Sequence, residues 1–87
     1  IKEKDFIDEF VGKDYGIPSN GSLEAMSIMA KYEGIILDPI YTGKAFYGLM
    51  EHIKSGKINN QDSVLFIHTG GVFNIFQYNQ EISDYIF

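Results

Sequence analysis

The chain has 87 residues and 45% hydrophobic content, which is in the range of one small globular domain. Seven lysines and twelve acidic residues give a net charge of -5, and no lysine cluster forms the basic stripe that a nucleic acid would need. Two histidines and no cysteine argue against a structural metal site, and no apolar run approaches the ~20 residues that span a bilayer. We therefore expect a cytoplasmic protein with no nucleic-acid partner, no membrane contact and no metal.

The beginning of the chain predicts a strand followed by a loop. Residues 5–11, DFIDEFV, mix apolar and acidic positions, and the next stretch carries two glycines and a proline. The sequence begins at Ile1, and IKEKDFIDEF has the pattern of the middle of a fold. We therefore expect the chain to be a fragment of a larger protein.

A helix and a buried strand are predicted next. LEAMSIMAKY places apolar side chains at helical spacing, with Ser19 or Asn20 as the N-cap and Gly34 as the end. IILD is a short apolar run between Gly34 and Pro39, which is typical of a strand buried on both faces.

A helix followed by a strand is also predicted in the second half of the chain. A helix is predicted with Ala45, Phe46, Leu49, Met50 and Ile53 on one face and Gly56 as its stop, and with lysines on the solvent side. SVLFIH, residues 63–68, predicts a third strand that ends at a Thr-Gly-Gly turn. VFNIFQY then predicts one or two helical turns.

The alternation of strands and helices predicts an α/β fold, in which helices cover a parallel sheet. Three strands leave two unpaired edges and need cover on both faces, which this chain supplies only in part. The pattern therefore also indicates that the chain is an incomplete domain.

Three loops follow the predicted strands, at the edge where open parallel sheets bind ligands. GKDYG, DPIYTG and HTGG bring Tyr15, Tyr41, Thr42, His68 and Thr69 to that edge. Simpler interpretations stay open: the tyrosines can be packing residues, Thr42 can be a helix cap, and the glycines can form a plain turn. For His68, a satisfied core histidine is favoured over a catalytic base.

Several of these motifs together resemble one family. FVGKDYGIP, LEAMSIMAKYEGIILDPIYTGKAFYGL and VLFIHTGG are similar to the C-terminal part of the pyridoxal-phosphate enzymes that comprise D-cysteine desulfhydrase and 1-aminocyclopropane-1-carboxylate deaminase. The resemblance implies the tryptophan-synthase-β type of fold, fold type II among pyridoxal-phosphate enzymes. Residues 1–87 would then be the C-terminal part of the large cofactor-binding domain.

The resemblance also implies roles for the loop residues. Tyr41 and Tyr15 would be catalytic, on the substrate side of the cofactor ring, with Tyr41 most directly involved in proton transfer or substrate positioning. Thr69 would lie near the pyridine nitrogen of pyridoxal phosphate, with Thr42 close by and Gly70 among the cofactor-binding residues.

The two threonines favour one branch of the family. The deaminases typically have an acidic residue in place of Thr42 and a leucine in place of Thr69, and a hydroxyl beside the ring nitrogen makes a milder electron sink than a carboxylate does. The implied reaction is β-elimination of D-cysteine, a small amino-acid substrate, to pyruvate, hydrogen sulfide and ammonia. Deaminase activity and a non-catalytic α/β interaction module are the alternatives.

The lysine that holds the cofactor in this family lies in its N-terminal part, and none of the seven lysines here has a similar context. Lys44 is expected to be a solvated or capping residue on the polar face of its helix. The resemblance therefore implies that this chain alone is inactive, that its partner is the remainder of its own enzyme chain, and that the full-length enzyme is a homodimer.

Overall fold

The protein is represented by a computed structural model that describes residues 7–13 and 15–86. These residues contain four helices: α1 (Asn20–Glu33), α2 (Thr42–Lys54), α3 (Asn74–Gln77) and α4 (Asn79–Ile86). Helix α1 packs against both α2 and α4. None of the helices among the described residues combines the length and the apolar character that crossing a bilayer requires.

Helix α1 forms where the sequence predicts it, because both of its ends carry capping signals. The hydroxyl of Ser19 accepts a hydrogen bond from the backbone N–H of Ser22, and the Ser22 hydroxyl accepts one from the N–H of Ser19, each at 3.0 Å. This reciprocal pair is a capping box, so Ser19 rather than Asn20 is the cap. Gly34 ends the helix with a φ of 67°, a left-handed conformation that glycine adopts without strain.

Helix α2 is also confirmed, and its buried face matches the predicted one only in part. Phe46, Leu49 and Met50 are half-buried as expected, whereas Ala45 and Ile53 are exposed. Lys44 was predicted to face solvent and is instead buried, with 7% of its surface exposed. The first turn of α2 inserts between neighbouring segments, and a lysine stem is long and apolar enough to be covered there.

The predicted strands do not form a sheet in the part of the chain that the structure describes. Residues 35–38 and 63–70 have no regular secondary structure, although Nε2 of His68 lies 2.9 Å from the carbonyl oxygen of Ile36 and so links the two segments. Residues 7–11 contain a turn and no strand, while Asp5 and Phe6 of the predicted first strand lie outside the described residues. A strand exists only when a neighbour supplies its backbone hydrogen bonds, and these segments do not pair with each other.

The core is small and lies under α1. Leu23 and Met26 of α1 are buried against Leu37. Partly buried apolar side chains surround this cluster: Met29, Phe46, Phe66, Ile75 and Ile82. The predicted turns in VFNIFQY are confirmed as α3, but α4, which supplies Ile82, was not predicted from the sequence.

Two helices approach so closely that α2 needs a glycine in its first turn. A Cβ atom on Gly43 would lie 2.4 Å from the carbonyl oxygen of Asp38 and 3.1 Å from that of Ser22. Both obstructing atoms belong to the backbone and cannot turn away. The start of α2 is therefore fixed against α1 and against the turn that precedes it.

We predict that Ser19→Ala lowers the free energy of unfolding by about 1 kcal/mol, because it removes the side-chain acceptor of the capping box. Ser27→Ala is the matched control, since it removes a hydroxyl from the interior of the same helix, where alanine has the higher helix propensity. Urea unfolding followed by circular dichroism measures both. Equal losses in the two variants would show that the cap does not stabilise α1.

Candidate active site

The turn that leads into α2 is organised by the side chain of Asp38. Its Oδ2 atom accepts hydrogen bonds from the backbone N–H groups of Ile40 at 2.8 Å and Tyr41 at 2.7 Å. Its Oδ1 atom accepts from the N–H of Thr42 at 2.9 Å and from the Thr42 hydroxyl at 2.7 Å. Tyr41, which directly precedes the helix, makes no side-chain cap of its own. The Asp38 carboxylate thus supplies the acceptors for the start of α2.

Asp38 is fully buried, and its hydrogen bonds decide its charge state. Burial alone would raise the pKa of the carboxyl group. The hydrogen bonds from Tyr41, Thr42 and Ile40 stabilise the charged form and together outweigh burial, so the pKa lies below its ordinary value of 3.8. The residue is therefore a carboxylate at neutral pH.

The loop that contains HTGG packs against the same carboxylate. Gly71 has a φ of 82°, and a Cβ atom there would lie 2.8 Å from Oδ1 and 3.0 Å from Cγ of Asp38. Any larger residue would collide with the group that holds the DPIYTG turn. Asp38 and Gly71 therefore join two of the three loops that the sequence placed at the site.

His68 is held in one tautomer by two backbone groups. Its Nδ1 atom accepts a hydrogen bond from the N–H of Gly70 at 3.0 Å, which leaves Nε2 to donate to the carbonyl of Ile36 at 2.9 Å. The favoured interpretation of a satisfied histidine is confirmed by these contacts, but the residue is exposed rather than in the core. The imidazole shapes the turn before Gly70.

The two candidate catalytic tyrosines are in contact. The hydroxyl groups of Tyr15 and Tyr41 share a hydrogen bond, and their ring centroids lie 6.0 Å apart at an interplanar angle of 61°. The hydrogen bond to Tyr15 is the main cause that raises the pKa of Tyr41; burial, Tyr15 itself, Asp38 and Tyr78 add to the shift. Tyr41 is consequently a protonated phenol at neutral pH.

Tyr78 holds the loop that carries Tyr15. Its hydroxyl donates a hydrogen bond to the carbonyl oxygen of Gly16 at 2.7 Å. Sequence reasoning missed this residue because its partner is 62 positions away, and no local pattern distinguishes it from the other tyrosines. Asp38 was missed as well, although an Asp-Pro pair just before a helix is a usable signal for a capping carboxylate.

A cleft of about 540 Å³ opens beside the tyrosine pair. Tyr15 and Tyr41 form part of its wall, with the buried Lys44. The rest is mainly apolar, with contributions from Phe10, Val11, Ile40, Leu49 and Ile58. The two phenols thus lie between the apolar cleft and the polar turn that contains Asp38.

The structure brings the predicted site residues together to different degrees. Tyr15 and Tyr41 are in direct contact, and Thr42 is joined to Tyr41 through Asp38. Thr42 is buried and gives its hydroxyl to Asp38, whereas Thr69 is exposed on the HTGG loop. Gly70 has a φ of 97° and nothing within 4 Å of a notional Cβ, so its backbone can approach a ligand closely.

Comparison with known proteins identifies the family. The sequence model of the family described as "Pyridoxal-phosphate dependent enzyme" matches residues 2–70. The chain belongs to this family. The family uses pyridoxal phosphate, so the predicted cofactor class is confirmed.

Individual relatives agree with this result. The D-cysteine desulfhydrases of Salmonella newport (strain SL254) and Salmonella heidelberg (strain SL476) are each 40% identical to the chain over 75 residues. That match covers 86% of this chain and 23% of each relative, so the chain spans about a quarter of the length of these curated relatives. A crystal structure of an ACC deaminase homologue superposes with a TM-score of 0.75 and 39% identity over 83% of this chain and 22% of the other.

The residues present fit the ring end of pyridoxal phosphate. The exposed Thr69 and the open backbone of Gly70 offer a hydroxyl and a close approach, and the phenols of Tyr15 and Tyr41 offer proton-carrying groups. Lys44 is buried in the first turn of α2, on the wall of the apolar cleft.

We predict that Asp38→Asn destabilises the protein by about 1–3 kcal/mol, because an amide nitrogen would replace one of two buried acceptor oxygens and face backbone donors. Asp62→Asn is the matched control: Asp62 accepts a backbone hydrogen bond from Asn59 at 2.9 Å, but in an exposed turn where water can replace it. Denaturant unfolding of both variants provides the comparison. Similar small losses would contradict the central role of Asp38.

The stabilisation by Asp38 should also depend on pH. Because its folded pKa lies below 3.8, the contribution is complete above about pH 5 and is lost as the pH falls through the folded pKa. The difference in unfolding free energy between the native protein and Asp38→Asn should shrink over that acidic range. A difference that stays constant down to the lowest pH at which the protein folds would show that the charge is not its source.

Proposed function

We propose that this chain forms one wall of the active site of a pyridoxal-phosphate-dependent D-cysteine desulfhydrase. The observation that carries the proposal is the hydrogen-bonded pair of Tyr15 and Tyr41, held by a turn that is tied to the HTGG loop. The identity of 40% to proteins named D-cysteine desulfhydrase supports the choice of reaction. The overall conversion is D-cysteine and water to pyruvate, hydrogen sulfide and ammonia.

Tyr41 is the proposed proton donor. Pyridoxal phosphate, when bound, withdraws electrons from the substrate amino acid and so eases loss of the β-substituent. In the proposed elimination a base in the remainder of the enzyme would take the α-proton, the carbon–sulfur bond would break with its electron pair on sulfur, and Tyr41 would give that sulfur a proton. The pKa of Tyr41 lies above its ordinary value of 10.0, mainly because of its hydrogen bond with Tyr15, so the phenol is protonated at neutral pH and carries the proton that this step requires. Tyr15 keeps that hydroxyl in place.

Thr69, Gly70 and Thr42 are the proposed cofactor-binding residues. Thr69 is exposed and follows His68, whose ring is held by two backbone contacts, so its loop has a defined shape. Thr42 contributes through the turn, since its hydroxyl is bonded to Asp38. No carboxylate is offered to the pyridine nitrogen by these side chains, which favours the milder electron sink.

The remainder of the active site is proposed to come from other parts of the same enzyme. Exposed apolar side chains on the linked segments support this, since Ile36, Leu65 and Ile67 expose 47%, 85% and 70% of their surface. In the complete domain these segments would be strands of a parallel sheet. The cofactor-binding lysine would lie in that remainder, so this chain alone would be inactive, and the full-length enzyme would be a cytoplasmic homodimer.

The second candidate is 1-aminocyclopropane-1-carboxylate deaminase activity. It is favoured by the structural likeness to the ACC deaminase homologue. Both candidates share the cofactor and the tyrosine pair, and they differ in what surrounds the ring nitrogen. Thr42 and Thr69 favour the desulfhydrase.

The decisive experiment is Tyr41→Phe in the full-length enzyme that contains this segment. The ring stays and the hydroxyl is lost, so turnover of D-cysteine should fall about 10²–10⁴-fold, while the absorbance of the bound cofactor stays nearly unchanged. Tyr32→Phe is the control, because Tyr32 is 71% exposed and lies near the end of α1. Unchanged turnover in Tyr41→Phe would show that the phenol takes no part in the reaction.

A substrate comparison separates the two candidate reactions. We expect the full-length enzyme to release pyruvate and sulfide from D-cysteine, and to release far less 2-oxobutanoate from 1-aminocyclopropane-1-carboxylate. Thr69→Leu should lower D-cysteine turnover without loss of cofactor, because it removes a hydroxyl from the cofactor side. Preferential turnover of the cyclopropane substrate by the native enzyme would favour the deaminase instead.

A further inference from the structure

We infer that Tyr78 is a positioning residue that fixes the reactive geometry of the Tyr15–Tyr41 pair from the C-terminal segment of the chain. This inference rests on the proposed function, since it concerns the same pair of phenols. Tyr78 lies between α3 and α4, beyond residues 2–70 that the family model matches. No role is assigned to it by the sequence motifs.

The contact that carries the inference is the 2.7 Å hydrogen bond from the Tyr78 hydroxyl to the carbonyl of Gly16. Gly16 directly follows Tyr15 and has a φ of 79°, so the backbone turns sharply at the residue that Tyr78 holds. A phenol that fixes this carbonyl also limits the movement of the neighbouring Tyr15. Tyr15 is 71% exposed, so its position depends on how the backbone of its loop is held.

The position of Tyr78 is itself determined by its surroundings. Its N–H donates to the carbonyl of Asn74 at 3.3 Å, and its carbonyl accepts from the N–H of Ile82 at 3.0 Å. Ile82 packs against the buried core under α1. The hydroxyl that reaches Gly16 is thus attached to the core through α4, whereas Tyr15 lies on an exposed loop and meets Tyr41 through its hydroxyl.

Tyr78 also influences the phenol of Tyr41. Among the described residues, the titratable groups that act on that phenol are Tyr15, Asp38 and Tyr78, while Lys44 and His52 line the same cleft. Tyr78 adds to the effects that raise the pKa of Tyr41, after the hydrogen bond with Tyr15, burial and the influence of Tyr15 and Asp38. Loss of the Tyr78 hydroxyl should therefore lower that pKa, directly and through a looser Tyr15–Tyr41 hydrogen bond.

The test uses Tyr78→Phe in the full-length holoenzyme, with Tyr85→Phe as the control. Both variants remove one phenol hydroxyl from the C-terminal segment, but Tyr85 lies on the exposed side of α4. We expect kcat for D-cysteine to fall about 10- to 100-fold in Tyr78→Phe and to stay unchanged in Tyr85→Phe, as misplacement of a reacting group by about 1 Å would produce. The alkaline limb of the pH profile of kcat/KM should move to lower pH only in Tyr78→Phe.

A double-mutant cycle shows whether Tyr78 acts through Tyr15. In a Tyr15→Phe background, Tyr78→Phe should reduce kcat by less than about 2-fold, because the group that it positions is already absent. An equal effect in both backgrounds would overturn the inference. The inference would also be overturned if Tyr78→Phe had the same kcat as the control Tyr85→Phe while Tyr41→Phe and Tyr15→Phe were impaired. In that case the proposed function would stand.

Two further outcomes are covered by the same set of variants. If Tyr41→Phe leaves turnover unchanged, the proposed function fails and the positioning role fails with it. If Tyr78→Phe is too unstable for kinetics, hydrogen exchange gives the answer: faster exchange confined to the peptide around Gly16 supports the inference. Faster exchange spread over α1 and α2 would show that Tyr78 only stabilises the fold.

Discussion

The buried carboxylate of Asp38 is the group on which the candidate site depends. Four hydrogen bonds reach it from the three residues that precede or begin α2, and the HTGG loop packs on it through a residue that must be glycine. A carboxylate without those donors would be costly to bury, and donors without the carboxylate would be left unsatisfied. The turn and the carboxylate are therefore stable only together, and the Tyr41 backbone is fixed as a result.

The local parts of this arrangement follow from local sequence. Ser19 and Gly34 mark the ends of α1 because capping involves only neighbours within one turn, and the same holds for Gly56 after α2. Pro39 restricts Asp38 to an extended conformation, which ends the IILD segment at the point where its side chain can reach the amides of α2. These features were predictable, although the capping role of Asp38 itself was not recognised.

The non-local parts were predicted less well. The segments around Ile36 and Leu65 have the apolar composition of buried strands. Composition indicates that a segment will be buried, but it does not show which other strand will form backbone hydrogen bonds with it. Lys44 was predicted to be a solvated or capping residue from its place on the polar face of its helix, but at the start of α2 its side chain lines the apolar cleft. In both cases the outcome depends on contacts with segments that are distant in the sequence. The periodicity of a single helix or strand carries no information about those contacts.

The tyrosine pair shows how local and distant constraints combine at one site. The backbone N–H of Tyr41 is held by Asp38, only three residues away. Tyr15 sits on a loop and meets Tyr41 across 26 positions, and the loop is in turn held by Tyr78 across 62. The proposed proton transfer needs both phenols within hydrogen-bond distance, so the geometry of the pair is limited by its less constrained member. The loop of Tyr15, rather than the turn of Tyr41, is therefore where the rest of the fold can adjust the geometry of the pair.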